Sequence, residues 1–392
     1  MVTLPRSGWR EHPGLLAVVD ALGGPRAARL VGGAVRDGLM ALPVSDIDVA
    51  TSLLPDAVTA ALEAAGIKVV PTGLAHGTVT AVSSGLVVEV TTLRRDVATD
   101  GRRATVAFTD NWRDDAARRD FTINALYADV STGEVFDWFG GLDDLSARKV
   151  RFIGDPLTRI AEDHLRILRF FRFHARFGRG EADAAGLLAC STRANDLMAL
   201  SRERIASELL KLLATENPTP VVAMMIENGI FKPILPEITD ASPLARCVER
   251  ERAFGVPGDA GRRLAALVDH RQAFAAALGG RLKLSTALSK RIVAASDATT
   301  DKLEAFAYRL GLESAVDRLI LGEGQLADFD RIKHWKRPIF PISGGALIAR
   351  GLLPGPVVAR TLLRIEQQWI ERQFPVGERF EAIVSEELSR AI

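Results

Sequence analysis

Several features are scarce in this 392-residue sequence, and each shortage excludes a class of protein. Its two cysteines, Cys190 and Cys247, lie far apart without metal-ligand spacing, so we expect a reducing compartment and no disulfide framework. No apolar run reaches transmembrane length, and residues 1–13 contain no apolar core as long as that of a signal peptide. These shortages predict a cytoplasmic protein that has no membrane partner.

The chain also has no marked excess of one charge and few aromatic residues. The 50 Lys and Arg residues nearly balance the 49 Asp and Glu residues, so any surface that binds an anionic polymer must be local. Aromatic residues make up only 6% of the chain, whereas alanine and leucine are abundant, which favours helices. The length suffices for two to four domains with an ample core.

Hydrophobic patterning divides the chain into two parts. Strand-like segments occur early, at 28–31, 47–51, 68–71, 78–82, 87–93, 125–129 and 135–136, with a helix between them at 55–65. From residue 155 onward the helical period predicts helices at 156–177, 183–189, 202–214, 218–228, 260–278, 283–295, 300–311, 313–321 and 356–373. The pattern predicts an α+β fold, in which a mixed sheet with helices precedes an extended all-α part.

The most informative segment contains a Gly-Gly turn followed by two aspartates. Gly32-Gly33 allows a sharp turn between a strand and a helix, and the first backbone N–H groups of that helix suit phosphates. Asp46 and Asp48 project from one face of a strand while Ile47 faces the core. Two adjacent carboxylates are costly unless a cation lies between them, and oxygen-only ligands suit Mg²⁺. Either feature alone is more often a plain turn, but their order indicates a metal-dependent nucleotide site.

Arginines recur at three- and four-residue spacing in the predicted helix after residue 155. They are Arg166, Arg169, Arg172 and Arg176. Their common face indicates an anionic ligand, such as a triphosphate or an RNA backbone. Salt bridges to Glu162 and Asp163, four and three residues before Arg166, explain the same pattern without a ligand, and this alternative stays open.

An Asp–Arg pair can also read a nucleobase. Cytosine and adenine present an exocyclic amino donor beside a ring-nitrogen acceptor, whereas uracil and guanine present a carbonyl beside an N–H. An acidic acceptor beside a permanently charged guanidinium therefore favours C and A, and Asp163 and Arg166 have a suitable spacing. A further segment, 118–120, is either an exposed loop or a contact to the sugar and phosphates of a nucleotide.

In this order the segments resemble the motifs of class II tRNA nucleotidyltransferases, which are the CCA-adding enzymes and their poly(A) polymerase relatives. The matching stretches are Leu-Val-Gly-Gly-Ala-Val-Arg-Asp at 30–37, Asp-Ile-Asp at 46–48, Arg-Arg-Asp-Phe-Thr-Ile-Asn-Ala at 118–125 and Glu-Asp-His-Leu-Arg-Ile-Leu-Arg at 162–169. Residues 202–211 look like the helix-stabilising motif that follows in that family. The resemblance implies a polymerase-β-like nucleotidyltransferase head at 1–145, then a helical neck at 146–215, a body at 216–335 and a tail at 336–392.

The resemblance also implies roles for individual residues. Asp46 and Asp48 would be catalytic and would ligate Mg²⁺, with Glu89 as the candidate third carboxylate. The nucleotide-binding residues would be Gly32, Gly33, Arg36, Arg119, Asp120, Asn124, Asp163, Arg166, Arg169 and Arg172. Asp163 and Arg166 would read the base, and residues 94–103 would form the mobile loop that helps switch from C to A addition.

The implied activity is template-independent addition of C, C and A to the 3′ end of tRNA, from CTP and ATP with release of pyrophosphate. The body and tail would bind the acceptor and T arm of the tRNA. A poly(A) polymerase, an enzyme that adds only CC or only A, and a non-catalytic RNA-binding protein of the same fold stay open as alternatives. Residues 376–392 are not basic, which favours tRNA over general RNA. Asp269-His270 is isolated and in reversed order, so no phosphohydrolase domain is expected; the oligomeric state is left open.

Overall fold

The computed structural model describes residues 2–73, 77–100, 103–268, 272–296, 302–322 and 324–391. These residues form two compact units, an N-terminal unit at Met1–Glu237 and a C-terminal unit at Ile238–Ile392. Strands occur only in the N-terminal unit among the described residues, and both units are rich in helix. An α+β part followed by an all-α part confirms the predicted fold class.

The strands of the N-terminal unit are β1 (Ala28–Val31), β2 (Ile47–Thr51), β3 (Lys68–Gly73), β4 (Thr78–Ser83), β5 (Leu86–Thr92), β6 (Arg94–Asp100), β7 (Arg103–Phe108), β8 (Tyr127–Ala128) and β9 (Val135–Phe136). Seven of them form one sheet in the order β3-β4-β5-β2-β1-β8-β9. The β2–β5 pair is parallel, whereas the other neighbouring pairs are antiparallel. The mixed sheet therefore has a parallel pair near its middle.

Alternation along β2 and β5 determines which side chains face the core. Ile47 and Val49 on β2 and Val88 and Val90 on β5 are all at most 4% exposed. Because side chains alternate along a strand, the residues between them project from the opposite face of the sheet. Asp48 on β2 and Glu89 on β5 therefore lie on the face opposite to these four apolar residues.

The helices of the N-terminal unit are α1 (Pro13–Ala21), α2 (Gly33–Leu39), α3 (Pro55–Ala64), α4 (Trp112–Ala117), α5 (Gly141–Ser146), α6 (Pro156–Glu162), α7 (Arg166–Phe177), α8 (Ala184–Thr192), α9 (Arg202–Leu213) and α10 (Thr219–Glu227). Short 3-10 helices occur at Gly24–Arg26, Thr122–Asn124 and Ala194–Ala199. The predicted continuous helix at 156–177 was wrong, because α6 and α7 are separate. Asp163 ends α6 in an extended conformation, and its carboxylate accepts from the Leu165 N–H at 3.1 Å, a local bond that competes with the helix.

The segment that was predicted to be a loop, 94–103, instead belongs to the β6–β7 hairpin. Its register pairs Arg94 with Phe108 and Asp100 with Arg103. Gly101 and Arg102 of this segment lie outside the described residues. The hairpin follows β5 directly, so its first residue stands beside the acidic strands.

The helices of the C-terminal unit are α11 (Ser242–Ala253), α12 (Ala260–Leu267), α13 (Gln272–Arg281), α14 (Thr286–Ala295), α15 (Leu303–Leu310), α16 (Leu312–Leu321), α17 (Leu326–Lys333), α18 (Gly344–Ala349), α19 (Pro356–Glu371) and α20 (Glu378–Ser389). Its core contains a buried ion network, in which Glu251 and Asp317 both pair with Arg262 at 2.8 Å. Farther along, Trp369 packs with Ile365 and Ile383 in an apolar cluster. Asp269-His270, from which no phosphohydrolase domain was expected, lies outside the described residues.

Candidate active site

Three carboxylates lie together on the sheet. Asp48 on β2 and Glu89 on β5 are direct register partners in the parallel pair, so their side chains project side by side from the same face. Asp46 precedes β2 by one residue and is exposed. The structure thus brings the two predicted aspartates and the candidate third carboxylate to one place.

Their mutual repulsion is visible in the electrostatics of Asp48. Burial, together with the charges of Glu89 and Asp46, raises the pKa of Asp48, and only Arg119 acts in the opposite direction. Within the described ranges, no lysine or arginine forms an ion pair with Asp48. A carboxylate in this state gains from a divalent cation, since the cation cancels both the repulsion and the cost of burial.

The donor set fits Mg²⁺ when the ligand completes it. Across the described residues, no group of three carboxylate, histidine or cysteine side chains encloses a metal position. Mg²⁺ is usually held by one or two carboxylates, with waters and substrate phosphates in the remaining positions. Asp46 and Asp48 supply such a partial set, all oxygen, at the surface of the sheet.

The Gly-Gly turn lies beside the arginine that faces Asp48. Gly32 has φ +68°, which strains any residue with a side chain, and a Cβ there would lie 3.3 Å from Nη1 of Arg119. Gly33 then begins helix α2. The turn therefore combines a backbone conformation that favours glycine with the close approach of a guanidinium group.

Arg119 is held by two partners. Its Nε donates to the Tyr127 hydroxyl at 3.2 Å, and its Nη2 donates to the Asp115 carboxylate at 3.3 Å. Burial alone would lower the pKa of Arg119, but Tyr127 and Asp115 raise it above its ordinary value. Its positive charge is therefore secure beside the carboxylates.

Asp120, Asn124 and Arg36 form a buried chain of hydrogen bonds behind the turn. The Asn124 amide donates to Asp120 at 2.9 Å and accepts from Arg36. Arg36 also pairs with Asp37 at 2.7 Å and is only 6% exposed. Asp120 further accepts from Nε of Arg169 at 2.7 Å. The chain connects the head to helix α7.

The arginines of α7 all have acidic partners. Arg166 pairs with Glu162, Arg169 with Asp120, Arg172 with Glu208, and Arg176 with Asp37. The Glu162–Arg166 pair is the salt bridge that was left open as an explanation of the arginine pattern without a ligand. The helix thus presents arginines whose positions are fixed by ion pairs from four different segments.

Asp163 and Arg166 lie on either side of the break between α6 and α7, where the Arg166 N–H donates to the Asp163 carbonyl at 3.0 Å, but among the described residues their side chains form no ion pair with each other. Asp163 is bound by Arg204 of α9, whose Nη2 donates to both carboxylate oxygens at 3.0 and 2.9 Å. Arg166 donates to the backbone carbonyls of Arg159 at 2.7 Å and Arg118 at 3.2 Å. The side chains of Asp163 and Arg204 remain 34% and 39% exposed, so a ligand can reach this pair.

Several residues of this arrangement were not among the predicted site residues. They are Asp115, Tyr127, Arg159, Glu162 and Arg204. Asp115 precedes Arg119 by four residues, and this spacing was a signal that could have indicated the pair. Arg204 lies 41 residues from Asp163, and no local pattern indicates such a contact. Arg159 of α6 donates to the Arg119 carbonyl at 2.7 Å and so joins α6 to the segment that carries Arg119.

Comparison with known proteins identifies the family. A family model described as the poly A polymerase head domain matches residues 28–151, and one described as a probable RNA and SrmB-binding site of polymerase A matches 187–242. The mitochondrial CCA tRNA nucleotidyltransferase 1 of Danio rerio is 32% identical over 369 residues, 89% of this chain and 85% of that protein. The chain belongs to the CCA-adding tRNA nucleotidyltransferase family of enzymes.

Solved structures of CCA-adding enzymes share this fold. The Bacillus stearothermophilus enzyme in complex with CTP has a TM-score of 0.68 at 24% identity, with 96% of this chain and 98% of that chain covered. The Thermotoga maritima enzyme complexed with tRNA has a TM-score of 0.64 at 20% identity, covering 96% and 94%. These likenesses confirm that this member of the family has the head-plus-helices architecture along its length.

The remaining features of the chain are its two cysteines, His164 and the character of its helices. Cys190 and Cys247 are both free and buried, and burial raises the pKa of both thiols, so neither is a ready nucleophile. His164, between α6 and α7, has its Nδ1 3.6 Å from the carboxylate of Asp196. In the described part of the chain, no helix has the length and apolarity needed to cross a membrane.

Proposed function

We propose that this enzyme adds C, C and A to the 3′ end of tRNA, using CTP and ATP and releasing pyrophosphate, and that it depends on Mg²⁺. One observation carries the proposal: Asp48, Glu89 and Asp46 share a face of the sheet beside Arg119, in a chain that is alignable with CCA tRNA nucleotidyltransferases over most of its length. The carboxylates suit the metal, and Arg119 suits the phosphates.

In the proposed reaction the head holds the reacting groups. Asp46 and Asp48 bind the divalent ions, and Glu89 contributes a third negative charge beside Asp48. When bound, the ions lower the pKa of the RNA 3′-hydroxyl and neutralise the leaving pyrophosphate. The hydroxyl oxygen attacks the α-phosphorus of CTP or ATP, and no histidine base is required.

The Gly-Gly turn and the basic residues around it contact the triphosphate and ribose. Gly32 and Gly33 let the backbone approach the phosphates, and Arg119 lies directly beside that turn. Arg36 and Asn124 form the inner wall of this part of the site through their buried hydrogen bonds. Asp120 holds Arg169 in place for phosphate binding, and Arg172 supports the same helix through Glu208.

Asp163 and Arg166 read the base. The Asp163 carboxylate accepts from the exocyclic amino group of cytosine or adenine, and Arg166 donates to the neighbouring ring nitrogen. Uracil and guanine present the opposite pattern, so they leave the donor and the acceptor unpaired, which is the costly outcome. Arg166 must leave some of its carbonyl contacts to do so, and the half-buried Asp163 must share its carboxylate oxygens with Arg204.

The helical parts after residue 145 are proposed to act on the RNA. We retain the division into neck at 146–215, body at 216–335 and tail at 336–392 as a prediction, with body and tail binding the acceptor and T arm. The family match described as a probable RNA-binding site, at 187–242, supports contact with RNA in this part. A cytoplasmic location likewise stays a prediction, since the Danio rerio relative is named as mitochondrial.

The experiment uses end-labelled tRNA that lacks its CCA end. We expect two nucleotides to be added with CTP alone, three with CTP and ATP together, and none without a divalent ion. Growth of long oligo(A) on unrelated RNA would instead identify a poly(A) polymerase, as the name of the matching head-domain model allows. Addition that stops at CC, or that needs a CC end, would identify a partial enzyme, and RNA binding without addition would leave a binding protein.

A further inference from the structure

Asp115, a carboxylate without a role in the reaction as described, has an unusual number of donors. It lies on helix α4 and is 1% exposed. It accepts from Nε of Arg118 at 2.8 Å, from Nη2 of Arg119 at 3.3 Å, from the Tyr127 hydroxyl and from the backbone N–H of Arg94 at 3.1 Å. The donors come from strands β6 and β8 and from the end of its own helix.

Electrostatics show that these contacts keep Asp115 charged. Burial alone would raise its pKa, but the two arginines, the Tyr127 hydroxyl and the Arg94 N–H lower it. A fully buried carboxylate that stays ionised is a fixed point of negative charge. It can therefore hold the guanidinium groups that face it in one orientation.

The geometry of Arg119 shows which of these contacts matters for the site. Nε of Arg119 donates to the Tyr127 hydroxyl, and Nη2 of Arg119 donates to Asp115. The Tyr127 hydroxyl itself donates to Asp115, which closes a ring of hydrogen bonds. The third nitrogen, Nη1, is the one beside the Gly32 turn. A planar guanidinium group that is held at two nitrogens can direct its third nitrogen in only one direction.

We propose that Asp115, with Tyr127, is a positioning residue that directs Arg119 toward the triphosphate of the incoming nucleotide. The inference rests on the proposed function, because it assigns Arg119 to phosphate binding. Asp115 also binds the first residue of the β6–β7 hairpin through the Arg94 N–H, so the same carboxylate joins the start of the hairpin to the phosphate-binding arginine.

The test measures the affinity of the full-length protein for CTP in the presence of Mg²⁺, by calorimetry, without RNA. Asp115→Asn keeps the shape but removes the charge, and Tyr127→Phe removes only the hydroxyl. Asp144→Asn is the matched control, because Asp144 is also buried and bound to an arginine, Arg151, at 2.9 Å. Thermal melting of each variant monitors folding.

We expect Asp115→Asn to weaken CTP binding about tenfold and Tyr127→Phe about threefold, as befits a lost charged and a lost neutral hydrogen bond. Asp144→Asn should leave CTP affinity within about twofold of the parent, even where it lowers the melting temperature. In the Arg119→Ala background, Asp115→Asn should cost almost no further affinity, because the residue through which it acts is gone.

Two results would overturn the inference. The first is CTP affinity that is unchanged in Tyr127→Phe and in Asp115→Asn despite a lower melting temperature. The second is an effect of Asp115→Asn that is equally large with and without Arg119. Should Asp115→Asn fail to fold, Tyr127→Phe and its combination with Arg119→Ala decide the question alone. Loss of the proposed function would appear separately, as CTP binding without any addition to tRNA.

Discussion

The acidic strands β2 and β5 and the arginine helix α7 differ in whether their charges have partners. On the strands, burial and neighbouring carboxylates raise the pKa of Asp48, which marks a charge that the protein leaves incompletely compensated. On helix α7, each arginine of the series meets a carboxylate. The first region is therefore suited to a cation from outside, whereas the arginines of the second are already neutralised by carboxylates of the protein.

This difference indicates that the carboxylates of the strands suit the binding of a cation, whereas the arginines of α7 suit the positioning of a ligand. Unpaired neighbouring carboxylates destabilise the fold as long as no cation is bound. We expect this cost to be offset only when the enzyme has bound its divalent ions. Paired arginines have less charge to offer to a ligand, but their geometry is fixed before the ligand binds. Asp163 lies between these cases, since it is paired with Arg204 yet is 34% exposed.

The largest expected effect comes from removing an acidic ligand of the head. Asp46→Ala should lower nucleotide addition roughly a thousandfold or more, because the ions lose a ligand while the fold loses only an exposed side chain. Affinity for tRNA should be nearly unchanged in a filter-binding assay. Glu63→Ala, also exposed and on α3, is the control and should retain activity. Equal loss of addition and tRNA binding would indicate a folding role for Asp46.

Arg166→Ala probes helix α7, where we expect a smaller and more specific effect. The ratio of kcat/KM for CTP over UTP should fall about ten- to a hundredfold, since a charged hydrogen bond to the base is lost. Arg176→Ala is the matched control, because Arg176 lies on the same helix and its pair with Asp37 is longer, at 3.4 Å. Selectivity that is unchanged in Arg166→Ala would remove this residue from base reading.

Asparagine at two aspartates should change stability in opposite directions in the two regions. Without divalent ions, Asp48→Asn should melt at or above the parent, because it removes a buried charge that lacks an ion-pair partner. Asp120→Asn should lower the free energy of unfolding by about 2 kcal/mol, and with it the melting temperature, because Arg169 loses its charged partner. Equal losses in both variants, measured by calorimetry in EDTA, would contradict the contrast.

The Asp120 effect should also depend on pH. Burial alone would raise the pKa of Asp120, but Arg169, Asn124 and the Phe121 N–H lower it. A depressed carboxyl pKa adds stability above the unfolded value, about 3.9, and this stability is lost as pH falls through the folded pKa. The difference in melting between parent and Asp120→Asn should therefore be constant near neutral pH and shrink below about pH 4. A difference that grows on acidification would contradict the sign.

The smallest expected effect comes from Arg204, the partner of Asp163. Arg204→Ala should reduce discrimination between CTP and UTP by about fivefold, as expected for one exposed charged hydrogen bond, because the base-reading carboxylate is then less well oriented. Arg204→Lys should recover part of this loss, since it keeps the charge but lacks the planar guanidinium group that fixes the direction of the donor. Steady-state kinetics with the two nucleotides measures both, and unchanged discrimination in Arg204→Ala would argue against orientation by Arg204.

Local sequence patterns predicted the elements that carry the acidic site. Strand β2 at Ile47–Thr51 and the start of α2 at Gly33 follow from alternation and from the Gly-Gly turn. Glu89 could be placed only as a candidate, because its register against Asp48 depends on pairing between strands about 40 residues apart. Alternation indicates a face, but not the neighbour on that face.

Long-range pairs and competing local bonds could not be predicted in this way. The helix expected at 156–177 breaks because the Asp163 carboxylate binds a nearby backbone N–H, an alternative that helical periodicity does not register. The Arg204–Asp163 and Arg169–Asp120 pairs join residues 41 and 49 positions apart. Charge patterns indicate that partners exist, and only the fold decides which they are.

The most direct test of the account is the position of the divalent ion in the nucleotide complex. We would grow crystals with CTP and Mn²⁺ and locate the metal by its anomalous signal. We expect a peak in contact with carboxylate oxygens of both Asp46 and Asp48 and with the triphosphate, and loss of that peak in Asp48→Asn. A peak elsewhere, with both aspartates facing bulk water, would contradict it.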